Sequence, residues 1–244
     1  MRWPKWYTML SNPCPNLPPS GLLLIDKPKD FSSHDIIAIS RRILKTKKIG
    51  HSGTLDPMAT GLLILLIGRE ATKEQARFLQ LNKVYRATLT LGQETDSWDA
   101  YGDVIKEQPV PPLTQALVEQ AAHQLSGEIE QPIPFFSAKK INGQKMYSLA
   151  RAGEKIERKY NRVNVTWTDV CLKDEKTIDF TVRCSCGTYV RALGYLLAKK
   201  LNTVGHLTKL RRLEIGPYHV QNAFDASHLK QTPTEILYKR IISL

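Results

Sequence analysis

The chain has 244 residues, 42% hydrophobic and 24% charged, a composition that can bury a sizeable core and excludes a chain disordered throughout. Its four cysteines, Cys14, Cys171, Cys184 and Cys186, are too few and too unevenly spaced for a disulfide framework, which points to a reducing, cytoplasmic setting. Thirty-five Lys and Arg against 23 Asp and Glu leave a net charge of +12, which favours a polyanionic partner, nucleic acid first, and no membrane. The longest apolar run, residues 62–67, is far shorter than the roughly 20 residues a membrane span needs.

Residues 1–19 are rich in Pro and Asn, lack the apolar stretch of a secretory signal, and read as a flexible extension. GLLLIDK then predicts a short strand closed by Pro28. Ser32 and Asp35 are spaced as a capping box, and Ile36, Ile39 and Ile43 repeat at helical spacing behind it. From Lys45 to Gly61 three glycines and an Asp-Pro bond predict an irregular loop that carries Asp56, followed by a buried strand at 62–67.

In VYRATLTLG the alternation puts Tyr85, Ala87, Leu89 and Leu91 on the buried face of a strand. After the acidic, turn-rich ETDSWDAYGD, the residues Leu117, Val118, Ala121, Ala122 and Leu125 predict a helix ended by Gly127. Residues 128–162 are long, aromatic and basic, as a binding insertion is. Strands are predicted at 163–170 and 178–184, and then a helix with Thr188 as N-cap and Arg191 in its first turn. Thr232 and Glu235 are spaced for a capping box on a last helix near 233–242. There is no internal repeat and no strict βα alternation, so the expected class is α+β, a mixed and largely antiparallel sheet flanked by helices and loops.

The positive charge is clustered. Blocks at 41–48, 139–162 and 199–212 hold 18 of the 35 basic residues. Any one block could be a solvated face, but the middle one interleaves Phe135, Phe136, Tyr147 and Tyr160 with its cations, the equipment for unstacked bases and phosphates. No triphosphate-binding loop, zinc finger or RNA-recognition aromatic signature is present in the sequence. Taken alone, Asp56 before Pro57 reads as a turn residue, Tyr85 as a core tyrosine and His51 as a surface histidine.

The loop GHSGTLDPMATGLLILLIGREATK resembles the signature of the bacterial TruB family of tRNA pseudouridine synthases. KVYRATLTLGQETDSWDAYG at 83–102, FSAKKINGQKMYSLARAG at 136–153, CSCGTYVRALGYLLAKKL at 184–201 and HLTKLRRLEIG at 206–216 resemble the same family in order. The resemblance implies the pseudouridine synthase fold over 20–216, with 128–162 as a thumb-like RNA-binding insertion. It implies isomerisation of uridine 55 in the T loop of tRNA, after base flipping, without cofactor or metal.

By the same resemblance Asp56 is the catalytic aspartate, Arg191 the arginine paired with it, and Tyr85 the tyrosine that stacks on the target base. His51 matches the histidine that fills the space vacated in the RNA, Tyr189 and Leu213 match residues lining the uracil pocket, and Lys27 supports the loop. Lys139, Lys140 and Arg151 are expected RNA contacts of the thumb, the partner being the T arm of a tRNA and the protein a monomer. The sequence departs from the family at Ser52, where threonine is usual, and at the C-x-C pair Cys184 and Cys186, read as a buried thiol and a loop residue. Residues 217–244 are expected to be a short C-terminal segment, too short for a complete PUA domain, with weaker tRNA binding as the consequence. A non-catalytic RNA-binding protein would use the same basic blocks but has no need of Asp56, Tyr85 and Arg191 together.

Overall fold

The computed structural model describes residues 20–136, 140–141, 144–145 and 159–244. Residues 1–19, Lys139 and Arg151 lie outside the described residues, and of Lys140 only the backbone is described. The chain begins with β1 (Gly21–Lys27), α1 (Ser33–Ile43), β2 (Ile49–His51), β3 (Thr60–Ile67) and two short helices, α2 (Gly68–Lys73) and α3 (Gln75–Gln80). There follow β4 (Lys83–Leu91), the hairpin β5 (Gln93–Thr95) and β6 (Val104–Glu107), α4 (Gln115–His123), β7 (Gly127–Pro132) and the small hairpin β8 (Lys140–Ile141) and β9 (Gln144–Lys145). The rest is β10 (Tyr160–Asp174), β11 (Thr177–Cys184), α5 (Val190–Lys200), β12 (Gly205–Ile215), β13 (Tyr218–His219), β14 (Phe224–Asp225) and α6 (Thr234–Lys239).

Among the described residues one sheet runs β14-β1-β3-β12-β4-β11-β10-β7, with β2 added to β3 and β13 to β12. Its pairs are antiparallel except β1 with β14 and β3 with β12, so the α+β expectation holds. β3 reads as an unbroken apolar run because both its faces are covered. Leu63, Leu65 and Ile67 pack with Ile36 and Ile39 of α1, while Leu62, Ile64 and Leu66 pack with Ala71 and Phe78. The main core lies where Leu89 of β4 and Phe180 and Val182 of β11 meet Val118 of α4 and Leu193 and Leu197 of α5.

The Ser32–Asp35 capping box forms as expected, with Asp35 N donating to Ser32 Oγ and Ser32 N to the Asp35 carboxylate. Other expectations are corrected. The 45–61 loop contains β2, whose Ile49 joins the core beneath α1, a strand too short for periodicity to reveal. The helix over 117–125 ends at His123, and Gly127, at φ 81°, opens β7 instead of closing the helix. Thr188 is not the N-cap of α5: its hydroxyl donates to Ser185 O, and Tyr189 takes the cap position. Thr232 is not a cap either, because its hydroxyl donates to His228 O and α6 starts from Pro233 without a side-chain cap.

Residues 127–132 and 160–165 pair with one another in the main sheet, so β7 and β10 carry the two ends of the basic stretch. Residues 217–244 pack on the domain: β13 and β14 extend the sheet, and Leu229 and Leu237 are buried against Ile36 and Ile37.

Candidate active site

Asp56 lies between β2 and β3 on a backbone clamped on both sides, by the first residue of α1 on one and by the end of β1 and the turn after it on the other. The buried Ser33 hydroxyl accepts from Leu55 N at 2.8 Å and donates to Leu55 O at 3.2 Å. Asp30 N and Lys27 Nζ both donate to Pro57 O, at 2.9 and 3.4 Å. Lys27 is fully buried and also donates to Pro28 O and Phe31 O, and burial outweighs the pull of the Asp56 carboxylate to lower its pKa to about 8.

The Asp56 carboxylate, one-third exposed, faces a buried guanidinium. Arg191 Nε stands 2.9 Å from Asp56 Oδ2, and Arg191 Nη2 donates to Oδ1 at 3.2 Å. The same guanidinium donates through Nη1 to Ser97 O at 2.7 Å and through Nη2 to Phe136 O at 3.0 Å, with Nε 3.6 Å from the buried Asp99 carboxylate. Planar geometry and five donors let one arginine join three chain segments in this way.

Tyr85 sits on β4 directly opposite Arg212 of β12. Arg212 is 1% exposed and divides its donors among Leu62 O at 2.6 Å, Gly53 O at 3.1 Å and Tyr85 Oη at 3.4 Å. Burial raises the Tyr85 pKa, so its phenol stays neutral over the ordinary pH range. Gly61 makes this arrangement possible. Its φ is 103°, and a Cβ there would lie 2.2 Å from Arg212 O.

These groups surround a cleft of about 260 Å³ lined by residues 52–56, Lys83, Tyr85, 187–191, Leu210 and Arg212. Asp56, Tyr85, Tyr189 and Arg191 therefore come together from three separate sequence stretches. Leu213 does not line the cleft: Leu210, on the same face of β12 as Arg212, is the apolar residue presented there. His51 lies beside the cleft, its Nδ1 accepting from Gly53 N at 3.1 Å and its ring edge-on to His34 at 5.9 Å. Burial lowers the pKa of His51.

Sequence reasoning missed Ser33, Asp99 and Arg212. Arg212 falls within the basic block at 199–212, yet it is interior, and its neighbour Arg211 is engaged with the Asp26 carboxylate at 2.6 and 3.0 Å. Both arginines are thereby withdrawn from the charge available to a polyanion. Cys184 is buried, and burial pushes its thiol up to about 11, while Cys186 Sγ donates to Gln80 Oε1.

Residues 41–190 match the TruB family pseudouridylate synthase (N terminal domain). A protein of Opitutus terrae named tRNA pseudouridine synthase B is 40% identical over 222 residues, covering 91% of this chain and 92% of the relative. The protein of that name from Aromatoleum aromaticum is 44% identical over 215 residues, 88% of this chain and 69% of the relative. For the one from Psychrobacter cryohalolentis the identity is 41% over 221 residues, and the chain spans only 61% of that relative's length. In fold, the chain is similar to one in the crystal structure of a Cbf5-Nop10-Gar1 complex, with a TM-score of 0.67 and 24% identity, over 91% of this chain and 60% of that one. The chain belongs to the TruB family of pseudouridylate synthases.

Proposed function

We propose that the protein isomerises uridine 55 in the T loop of tRNA to pseudouridine, with Asp56 as the catalytic carboxylate. The observation that carries this reading is the Asp56–Arg191 pair: the cation is buried and tied to the protein, and the carboxylate is left open to the cleft. In the reaction the bond from uracil N1 to ribose C1′ breaks, the base turns, and a bond from C5 to C1′ forms. The C5 hydrogen leaves as a proton and N1 gains one, so the change balances without cofactor, metal or redox partner.

The target uridine must leave its stack to reach the cleft. Tyr85 offers the flipped base a neutral aromatic face, Leu210 and Tyr189 enclose it, and His51 stands beside the cleft to fill the space left in the RNA. Lys139, Lys140 and Arg151 of the basic block supply contacts to the phosphates of the T arm. One chain supplies every group of the cleft, so a monomer suffices, acting in the cytoplasm on its tRNA.

The test is tritium release from tRNA labelled at uracil C5, with the intact protein and with Asp56→Asn. Release by the intact protein alone is expected, with tRNA binding retained by the variant. Release by both would remove Asp56 from the chemistry. Release by neither, with tight and salt-sensitive tRNA binding, would make the protein a non-catalytic RNA binder.

A further inference from the structure

We propose that Tyr101 is a positioning residue for the Asp56–Arg191 pair, closing on the outer surface a ring of contacts that joins the supports of the two charges. This rests on the catalytic reading of that pair. On the carboxylate side, Pro57 O, one residue beyond Asp56, accepts from Asp30 N at 2.9 Å. Asp30 holds that position at φ 69°, a left-handed conformation that a residue other than glycine adopts at some cost. On the arginine side, Arg191 is held by Ser97 O and faces the Asp99 carboxylate. Tyr101 touches both supports: its backbone N donates to Asp99 Oδ1 at 3.0 Å, and its hydroxyl donates to Asp30 Oδ1. The circuit therefore runs Asp56, Arg191, Asp99, Tyr101, Asp30, Pro57 and back to Asp56.

The segment around Tyr101 is built to be stiff. Thr95 Oγ1 donates to Asp99 O at 2.7 Å, Ser97 Oγ to Asp99 Oδ1 at 2.7 Å, and Asp103 N to Asp96 Oδ1 at 3.1 Å. A Cβ on Gly102 would lie 2.2 Å from Asp96 Oδ1, so the turn is closed tightly beneath the tyrosine. Tyr101 is 49% exposed, with the Lys29 ammonium 5.6 Å from the centroid of its ring. Burial contributes little to holding this ring; the hydroxyl and the backbone amide tie it. A misplacement of about 1 Å in a reacting group can lower a rate about 100-fold, so a bond at the surface can act on turnover through the backbone it steadies.

The experiment compares the intact protein with Tyr101→Phe, Asp30→Ala, Asp30→Asn and the Tyr101→Phe/Asp30→Ala double variant, on unmodified full-length tRNA labelled at uracil C5. The expected result is a kcat about five- to tenfold lower for Tyr101→Phe and Asp30→Ala, with KM within about twofold of the intact protein. The double variant is expected to be no slower than either single one, and Asp30→Asn, which keeps an acceptor, to recover most of the rate. Amide hydrogen exchange at Asp30 and over 52–59 is expected to quicken several-fold in Tyr101→Phe, a readout that does not depend on turnover. Unchanged kcat and exchange in Tyr101→Phe, or losses that multiply in the double variant, would overturn the proposal. A silent Tyr101→Phe beside a raised KM in Tyr101→Ala, measured alongside as a fifth variant, would also overturn it and make the ring a stacking surface for an RNA base. Absence of tritium release by the intact protein would defeat the functional reading instead, and exchange at Asp30 and 52–59 would still decide the tether.

Discussion

Arg191 meets Asp56 with two nitrogens, Nε at 2.9 Å from Oδ2 and Nη2 at 3.2 Å from Oδ1, while its own side chain is 4% exposed and that of the carboxylate 34%. The pair is thus asymmetric. Its cation belongs to the protein interior, where removing a partner leaves uncompensated groups, and its anion belongs to the cleft. Lysine in place of Arg191 keeps the charge but not the planar fork, so Ser97 O and Phe136 O would lose donors. Arg191→Lys is expected to lower kcat about 100-fold or more and stability by about 2–4 kcal/mol, read by single-turnover tritium release and urea midpoints.

Arg212 and Tyr85 are opposed across two strands, but their substitution should differ in consequence. Arg212→Leu strands Leu62 O and Gly53 O in the interior and is expected to destabilise by about 3–5 kcal/mol. Tyr85→Phe removes only the long contact from Arg212 Nη1 and should change stability by about 1 kcal/mol or less, with the ring still in place. Equal losses in chemical denaturation would show that the two do not divide the work this way.

Two glycines with positive φ offer a contrast. Gly61→Ala places a Cβ 2.2 Å from Arg212 O, where strand backbones cannot give way, and is expected to yield little folded protein. Gly127, at φ 81°, has nothing within 4 Å of the added Cβ, so Gly127→Ala should cost only the conformational strain of about 1–2 kcal/mol. Soluble yield and thermal midpoints of the two variants check this.

Lys27 and Lys83 both have pKa values lowered by burial from 10.5 to about 8. Below pH 8 both are charged folded or unfolded, and the fold bears the full burden of a buried charge. Between pH 8 and 10.5 the unfolded chain holds protons that the fold has released, so these groups make stability rise with pH. Each should add about 1 kcal/mol from pH 8 to 9. Above pH 9 the Cys184 thiol, raised to about 11, opposes them, because there the fold holds a proton that the unfolded chain loses. Urea midpoints from pH 7.5 to 9 are therefore expected to rise in the intact protein and to rise less in Lys83→Met.

The sequence by itself determined the local architecture and the chemistry that could be present. The Ser32–Asp35 box, the alternation around Tyr85 and the apolar run of β3 are relations between residues a few positions apart, set by helix and strand periods. The three stretches that contribute Asp56, Tyr85, and Tyr189 with Arg191 could be recognised as motifs, and the helix carrying Arg191 could be placed beside a strand end. Partnership across long separations was decided only by the tertiary structure. Arg212 reaches Leu62 and Gly53, and Tyr101 reaches Asp30, through contacts that no periodicity encodes. Leu210, two residues before Arg212 in unbroken register and so on the same face of β12, lines the cleft, and Leu213 does not. The inward turn of one arginine and the outward turn of its neighbour followed from which backbone carbonyls and carboxylates the sheet brought within reach, and that depends on the whole fold.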